Sequence, residues 1–311
     1  MSDKNFLDHV VDLYHTKQIE FFLPNEWKRA NAVRLTGYQR IGGLTNKNFK
    51  IQLDSQQLVI RLPGRGVGRF ISRKHEKLNQ EAAAQAGFSP DILYFNQLNG
   101  VKIAPYLDKA KVLNPSDARN PEYYGEVAAF LRRFHTSGLQ FSNTFNVFHK
   151  IRSYEKTARM KFARFYPGYK YFRTKLETIE NLYHPKSFPL VACHNDLVPE
   201  NILFLENSPT FIDWEYSGMN DPAWDLASFL LESELPISSE QDFLTRYNKD
   251  LSVDEDFLWR IKTCKVLQDF LWSIWSLIEE NSVMNPRKAK DCRVYGEARF
   301  QRCCTDLVDL A

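Results

Sequence analysis

Near residue 108 the texture of the chain changes, and that change limits its possible folds more than any other feature. Before it, short apolar runs alternate with turn signals. RLTGYQRIGGLTNKNFKI and QQLVIRL read as strands, joined by a glycine turn and by a polar turn at Asp54–Gln56. ISRKHEKLNQEAAAQAG reads as a helix stopped by Gly87. SPDILYFNQLNGVKIAPYL reads as two more strands around an Asn99–Gly100 turn. Residues 1–30 carry Phe6, Val10, Leu13 and Tyr14 at helix-like spacing. Beyond residue 108 helical periodicity dominates. EYYGEVAAFLRRFHTSG is an amphipathic helix ending at Gly138, and helical patterns return at 151–182, 222–233, 254–281 and 294–310. The exception is 189–216, where two short apolar strands flank a polar loop. The predicted class is α+β in two parts: a small sheet-rich lobe over 1–107 and a larger, mainly helical lobe over 108–311.

Charge and cysteine usage narrow the function classes. The formal net charge is +3, too small to argue for nucleic acid. Its distribution is uneven. Residues 34–77 hold ten Lys or Arg against two acids, and residues 213–256 hold twelve acids against two bases. That asymmetry suits a protein that holds an anion on one side of a cleft and a cation on the other. No apolar run approaches the roughly 20 residues that span a bilayer, so membrane insertion is not expected. The first residues, MSDKNFLDHV, lack the apolar core of a signal peptide, and the expected location is the cytoplasm. Cys193, Cys264, Cys292, Cys303 and Cys304 read as reduced thiols, and the adjacent Cys303–Cys304 pair has no second pair at zinc-site spacing.

The most informative stretch is VACHNDLVPENILFLENSPTFIDWEYSG. His194, Asp196 and Asn201 stand as H-x-D-x-x-x-x-N, and Asp213 follows twelve residues after Asn201. The pattern resembles the catalytic loop and metal-binding Asp of protein-kinase-like phosphotransferases. The chemistry accounts for the residue types. Phosphoryl transfer needs a carboxylate beside the attacking hydroxyl, to orient it and accept its proton, and Asp196 suits that role. It also needs oxygen ligands for Mg²⁺, a hard cation. Asn201 and Asp213, at adjoining strand ends, can converge to supply them. His194 suits a bracing role in the loop.

A nucleotide also requires a phosphate cover and a base for its phosphates. Gly42, Gly43, Leu44, Thr45 and Asn46 lie between two predicted strands, where glycines let backbone N–H groups approach phosphate closely. Arg61, on the next strand, offers a fork of donors to phosphate oxygens. Glu76, on the following helix, is the expected carboxylate orienting Arg61, with Glu81 the second candidate. KIAPYL would be the hinge, where backbone groups near Pro105 and Leu107 bond adenine. ATP and Mg²⁺ are the expected cofactors.

Over residues 36–300 the chain resembles the choline/ethanolamine kinase family, within the aminoglycoside-phosphotransferase-like kinases. GGLTNKNF, RLPG, HNDLVPENIL, IDWEYSGMNDPAWDLASF, FLWSIW and YGEARF carry the resemblance. DWEYSGMNDPAWDLA is similar to the bacterial choline kinases of phosphocholine decoration. The resemblance implies a bilobal protein-kinase-like fold, a nucleotide-binding first lobe and ATP:choline phosphotransfer. It implies Asp196 as base, and Asn201 and Asp213 as metal ligands. It places Glu232, Trp272, Trp275 and Tyr295 at the choline site, and Asp225 as a brace of the catalytic loop. Val198 departs from members that carry a polar residue two positions after the base.

The aromatic residues also have a physical reading of their own. A quaternary ammonium has no N–H to donate, and aromatic faces with a nearby carboxylate bind it. Trp272 and Trp275, three apart on a predicted helix, share a side. Tyr216 is a further candidate, while Trp224 and Trp259 read as core. Residue types alone leave other functions open: a kinase for ethanolamine, another amino alcohol or an aminoglycoside, or a non-catalytic pseudokinase that binds. Retention of Asp196, Asn201 and Asp213 argues against the last. Trp214-Glu215 in place of Phe-Gly after Asp213 argues against a protein kinase.

Overall fold

A computed structural model of the chain describes residues 15–24, 35–42, 46–54, 56–64, 70–183, 188–249 and 254–310. They fall into two compact units, one up to Ala110 and one from Lys111 onward.

In the first unit a helix over residues 15–22 (α1) precedes β1 (Leu35–Gly42), β2 (Lys47–Leu53) and β3 (Gln56–Leu62). Helix α2 (Arg73–Gln85) and strands β4 (Tyr94–Phe95) and β5 (Lys102–Pro105) complete it. The sheet is antiparallel in the order β1-β2-β3-β5-β4. Side chains alternate across a pleated strand. Phe49, Ile51 and Leu53 of β2 therefore face the same way as Leu58, Ile60 and Leu62 of β3, with Phe49 paired to Ile60. Ile103, Ile19 and Leu23 close that core. Arg61 takes the opposite face, where its cross-strand partner is Lys102. Ser72 caps α2 by accepting from His75 N at 3.4 Å. Gly100 turns the chain from β4 into β5 with φ +76°, and a Cβ there would meet Arg73 Nε at 2.5 Å. Glycine is required twice over at this turn.

The second unit opens with β6 (Lys111–Val112), α3 (Pro115–Ala118), α4 (Pro121–His135), α5 (Val147–Met160) and α6 (Tyr169–Leu182). The strands β7 (Val191–Cys193), β8 (Ile202–Leu205), β9 (Ser208–Phe211) and β10 (Gly218–Asn220) follow. Helices α7 (Pro222–Ser233), α8 (Ile237–Asn248), α9 (Glu255–Glu280) and α10 (Pro286–Leu310) end it. Caps explain many helix starts: Asn120, Asn146, Asp221 and Asp254 each accept from a backbone N–H of the first turn. Pro121 and Pro222 occupy first-turn positions that need no N–H.

Three sequence expectations are corrected. The pattern over 151–182 is two helices, since Pro167 and the left-handed Gly168 (φ +76°) separate α5 from α6. The stretch 189–216 holds three strands, and with β6 and β10 they make a three-stranded sheet, β6-β8-β9, and a pair, β10-β7. The last helix begins at Pro286, well before residue 294. Among the described residues, no helix is long and apolar enough to cross a membrane.

Candidate active site

The two small sheets of the second unit set the candidate catalytic residues. Strand β7 delivers the chain into the loop 194–201, and the β8–β9 hairpin brings 201 beside 212. Ile202 pairs with Phe211, and Ile212 N donates to Asn201 O at 2.9 Å. Asn201 and Asp213 thus lie at adjoining strand ends. Asn201 Nδ2 donates to Asp196 O at 2.9 Å, which leaves its Oδ1 as the side chain's acceptor.

The loop is strapped down from several sides. The buried Asp225 of α7 accepts from His194 N and Asn195 N, both at 2.7 Å, and contacts His135 Nε2 at 3.2 Å. Asn195, at φ +65°, donates to Tyr216 O at 3.1 Å and accepts from Asn220 Nδ2 at 2.8 Å. Asn and Asp tolerate this left-handed backbone better than most residues, and Asp213 shares it at φ +65°. Trp224, read from sequence as plain core, donates through Nε1 to Asn195 O at 3.1 Å and so braces the loop as well. His194 is fully buried, with Nε2 2.8 Å from Ile212 O and its ring 4.8 Å from that of Trp214. His135, Cys193 and Asp225 bring metal-ligand atoms within 4.8 Å of one another, but they lie in this buried hydrogen-bonded brace.

Asp196 keeps some accessible surface, yet packed atoms enclose its carboxyl closely. Burial pushes its pKa well above the usual carboxylate range, Asp213, Glu215 and Glu232 add to the rise, and Arg299 opposes it. Four acids therefore share one electrostatic neighbourhood. Asn201 and Asp213 offer oxygens there, and carboxylate and amide oxygens are the donor type that fits a hard divalent cation.

Beside the acids runs a chain of rings. Tyr216 meets Trp272 at a centroid distance of 5.3 Å, Trp272 meets Trp275 at 6.4 Å, and Trp275 meets Tyr295 at 6.4 Å. All three contacts are edge-to-face, at 89°, 86° and 83°. Exposure rises along the chain from 8% at Tyr216 and 9% at Trp272 to 40% at Tyr295, so it leads from the interior to the surface. Tyr216 OH lies 3.2 Å from Tyr154 OH, and Lys150 Nζ lies 5.0 Å above the Tyr216 ring. Burial pulls the Lys150 ammonium down to about 8 against the opposing pull of Glu215. Trp259, read from sequence as core, is half-buried near the start of α9, 6.3 Å from the Tyr183 ring.

Glu232 lies in the same neighbourhood, and its carboxylate is ion-paired with Arg299 Nη2. Arg299 also donates from Nη1 to Asp269 Oδ1 at 2.9 Å and holds its guanidinium 5.0 Å from the Tyr295 ring centroid. Arg302 grips both oxygens of Asp269, at 2.6 and 2.7 Å. Sequence reasoning missed Arg299 and Asp269. Their signal was helical spacing, with Arg299 four residues after Tyr295 and Asp269 three before Trp272.

The first unit gathers the other candidates. Arg61 Nη1 donates to Glu76 at 2.5 Å and Nη2 to Gly100 O at 3.1 Å, all buried. Glu76 also meets Arg73 at 2.6 Å and Lys102 at 3.7 Å. Burial would raise its pKa, but Arg61, Lys102 and Arg73 together hold it down at about 2. Glu81 pairs instead with Lys77, at 3.1 Å. Asn46 is buried and its Oδ1 accepts from Gly64 N at 3.4 Å. Gly42 ends β1 at φ +133°, while Gly43, Leu44 and Thr45 lie outside the described residues. Pro105 ends β5, and Leu107 follows Tyr106, whose N–H is spent on Gln57 O at 3.0 Å.

Comparison with known proteins gives these features a lineage. The family model described as choline/ethanolamine kinase matches residues 39–303. Protein LicA of Haemophilus influenzae is 30% identical over 253 residues, which cover 78% of this chain and 73% of that protein. The solved structure of choline kinase LicA from Streptococcus pneumoniae matches with a TM-score of 0.80 at 28% identity, covering 94% of this chain and 99% of that one. A LicA structure in complex with AMP matches at 0.79 and 28% identity, over 95% of this chain and 97% of that one. The match runs through the first unit's sheet, the strapped acid loop and the ring-bearing helices alike, and the chain belongs to the choline/ethanolamine kinase family.

Proposed function

We propose that the chain transfers the γ-phosphoryl group of ATP to the hydroxyl of choline. The observation that carries this reading is the run of four rings beginning beside Asp196. A quaternary ammonium offers no hydrogen-bond donor, and edge-to-face rings present the electron-rich faces that attract it. The alcohol end then lies toward Asp196. Asp196 orients the hydroxyl and accepts its proton while the choline oxygen bonds to the γ-phosphorus. The bond from that phosphorus to the β–γ bridging oxygen breaks, and ADP leaves. Asn201 Oδ1 and the Asp213 carboxylate would hold Mg²⁺, whose charge offsets that of the phosphates. His194 and Asp225 act on the loop, keeping Asp196 in place.

In the first unit, Arg61 oriented by Glu76 would bind nucleotide phosphate, under the cover of Gly42, Gly43, Leu44, Thr45 and Asn46. Backbone groups around Pro105 and Leu107 would bond adenine. The complex of a LicA protein with AMP supports a nucleotide in this fold. None of the five cysteines forms a disulfide, which fits a reducing cytoplasm.

The test offers purified protein ATP and Mg²⁺ with choline, ethanolamine and an aminoglycoside, and follows ADP release. Choline is expected to give the highest kcat/KM. A higher value for ethanolamine or the aminoglycoside would overturn the choline assignment, and no turnover with any of them would overturn the enzyme.

A further inference from the structure

A buried guanidinium is out of place beside a site for a cation. Arg299 is 5% exposed, and it ties together the three helices that carry the proposed substrate residues. It pairs with Glu232 of α7, donates to Asp269 of α9 and lies against the ring of Tyr295 on its own helix, α10. Its charge disfavours every cationic substrate to a similar degree. What separates candidate substrates is the number of N–H groups each must satisfy. Ethanolammonium brings three, and choline brings none.

Three of the acceptors near the rings are already engaged, Glu232 through its Oε1. The Glu232 carboxylate is paired with Arg299. Asp269 takes Arg299 on one oxygen and Arg302 on both. The Tyr216 hydroxyl is bonded to that of Tyr154. Beside these acceptors stand the ring faces of Trp272 and Trp275, which serve a methylated nitrogen and leave N–H donors unmet.

We infer that Arg299 is a specificity-determining residue: by occupying Glu232 it biases the site toward a quaternary ammonium and against a primary one. This inference rests on the choline reading above. The same contacts also hold three helices together, and a purely structural role would lower turnover of both alcohols alike. The ratio between substrates is therefore the informative quantity.

The experiment compares wild type, Arg299→Gln and Arg299→Lys. Calorimetric titration with choline and with ethanolamine gives binding, and kcat/KM for both alcohols is measured on the same preparations. Arg299→Gln releases the Glu232 carboxylate, and the ethanolamine-to-choline ratio of kcat/KM should rise about tenfold, mainly through KM for ethanolamine. Asp269 keeps Arg302 in that variant, which favours folding. Lysine cannot bridge Glu232 and Asp269 with a fork, so Arg299→Lys should raise the ratio about threefold and decides the matter if the glutamine variant melts. A ratio within twofold of wild type in the folded variants, in binding and in turnover, overturns the inference, even if both activities fall. Phosphorylation of neither alcohol by wild type would defeat the choline reading, and the calorimetric ratio would still judge Arg299. Binding of neither would defeat both.

Discussion

A tryptophan on a long helix is usually packing, and Trp272 is nearly buried. Its ring contacts argue for more: it joins Tyr216, at the acid cluster, to Trp275, on the way to the exposed Tyr295. A cation–π contact of about 1–2 kcal/mol corresponds to roughly 5- to 30-fold in affinity. Trp272→Ala should raise KM for choline within that range and change kcat much less. Unchanged KM in a folded variant would return Trp272 to the core. At this scale the placement of Asn201 and Asp213 at adjoining strand ends was legible in sequence, because apolar runs bracket both positions. Arg299 was not. Its partners lie 67 and 30 residues away, and only the packing of three helices shows that it pairs with Glu232. Trp224 is core, as its sequence suggested, but its N–H bond to the loop crosses 29 residues and was not legible.

Helices α9 and α10 pack antiparallel, with Arg293 near Glu280, Gly296 near Ser276 and Arg299 near Asp269. The approach at Gly296 is very close. A Cβ there would lie 1.7 Å from Ser276 Oγ and 2.8 Å from Ser276 Cβ. The adjacent residue is Tyr295, so this glycine sets the separation between the Trp275 and Tyr295 rings. Gly296→Ala must push the helices apart, and overpacking of this kind costs about 2 kcal/mol. Denaturant unfolding should show that loss, and KM for choline should rise with it. Wild-type stability and KM together would mean the helix pair adjusts without moving the rings. Helix spans were legible where caps and periodicity agreed, as at Asp221–Pro222. The break between α5 and α6 was signalled by Pro167-Gly168 but hidden within a continuous helical pattern.

At the scale of the molecule, the change of texture near residue 108 anticipated a sheet-rich first unit and a mainly helical second one. It did not reveal the strands β6 and β10, which are only two and three residues long. The uneven charge also has a structural meaning in the first unit, where one buried carboxylate, Glu76, meets Arg61, Arg73 and Lys102. Its folded pKa, about 2, lies well below the ordinary glutamate value of 4.5. A carboxylate lowered in this way stabilises the fold above its unfolded pKa, and the contribution fades as pH falls toward the folded value. Between neutral pH and about pH 3 the loss is ~2 kcal/mol. Urea unfolding at both pH values should show this loss in wild type and not in Glu76→Gln; equal losses would mean that Glu76 is not held ionised by its three partners. In the second unit the proposed division of labour is between a reacting carboxylate, Asp196, and rings that bind the cation. The most direct test of that division is Asp196→Ala, assayed for both turnover and calorimetric choline binding. The expected result is a fall in kcat of at least about a hundredfold, with choline affinity kept within about threefold, because no ring contact is removed. Turnover retained within tenfold of wild type, or choline binding lost along with turnover, would contradict it.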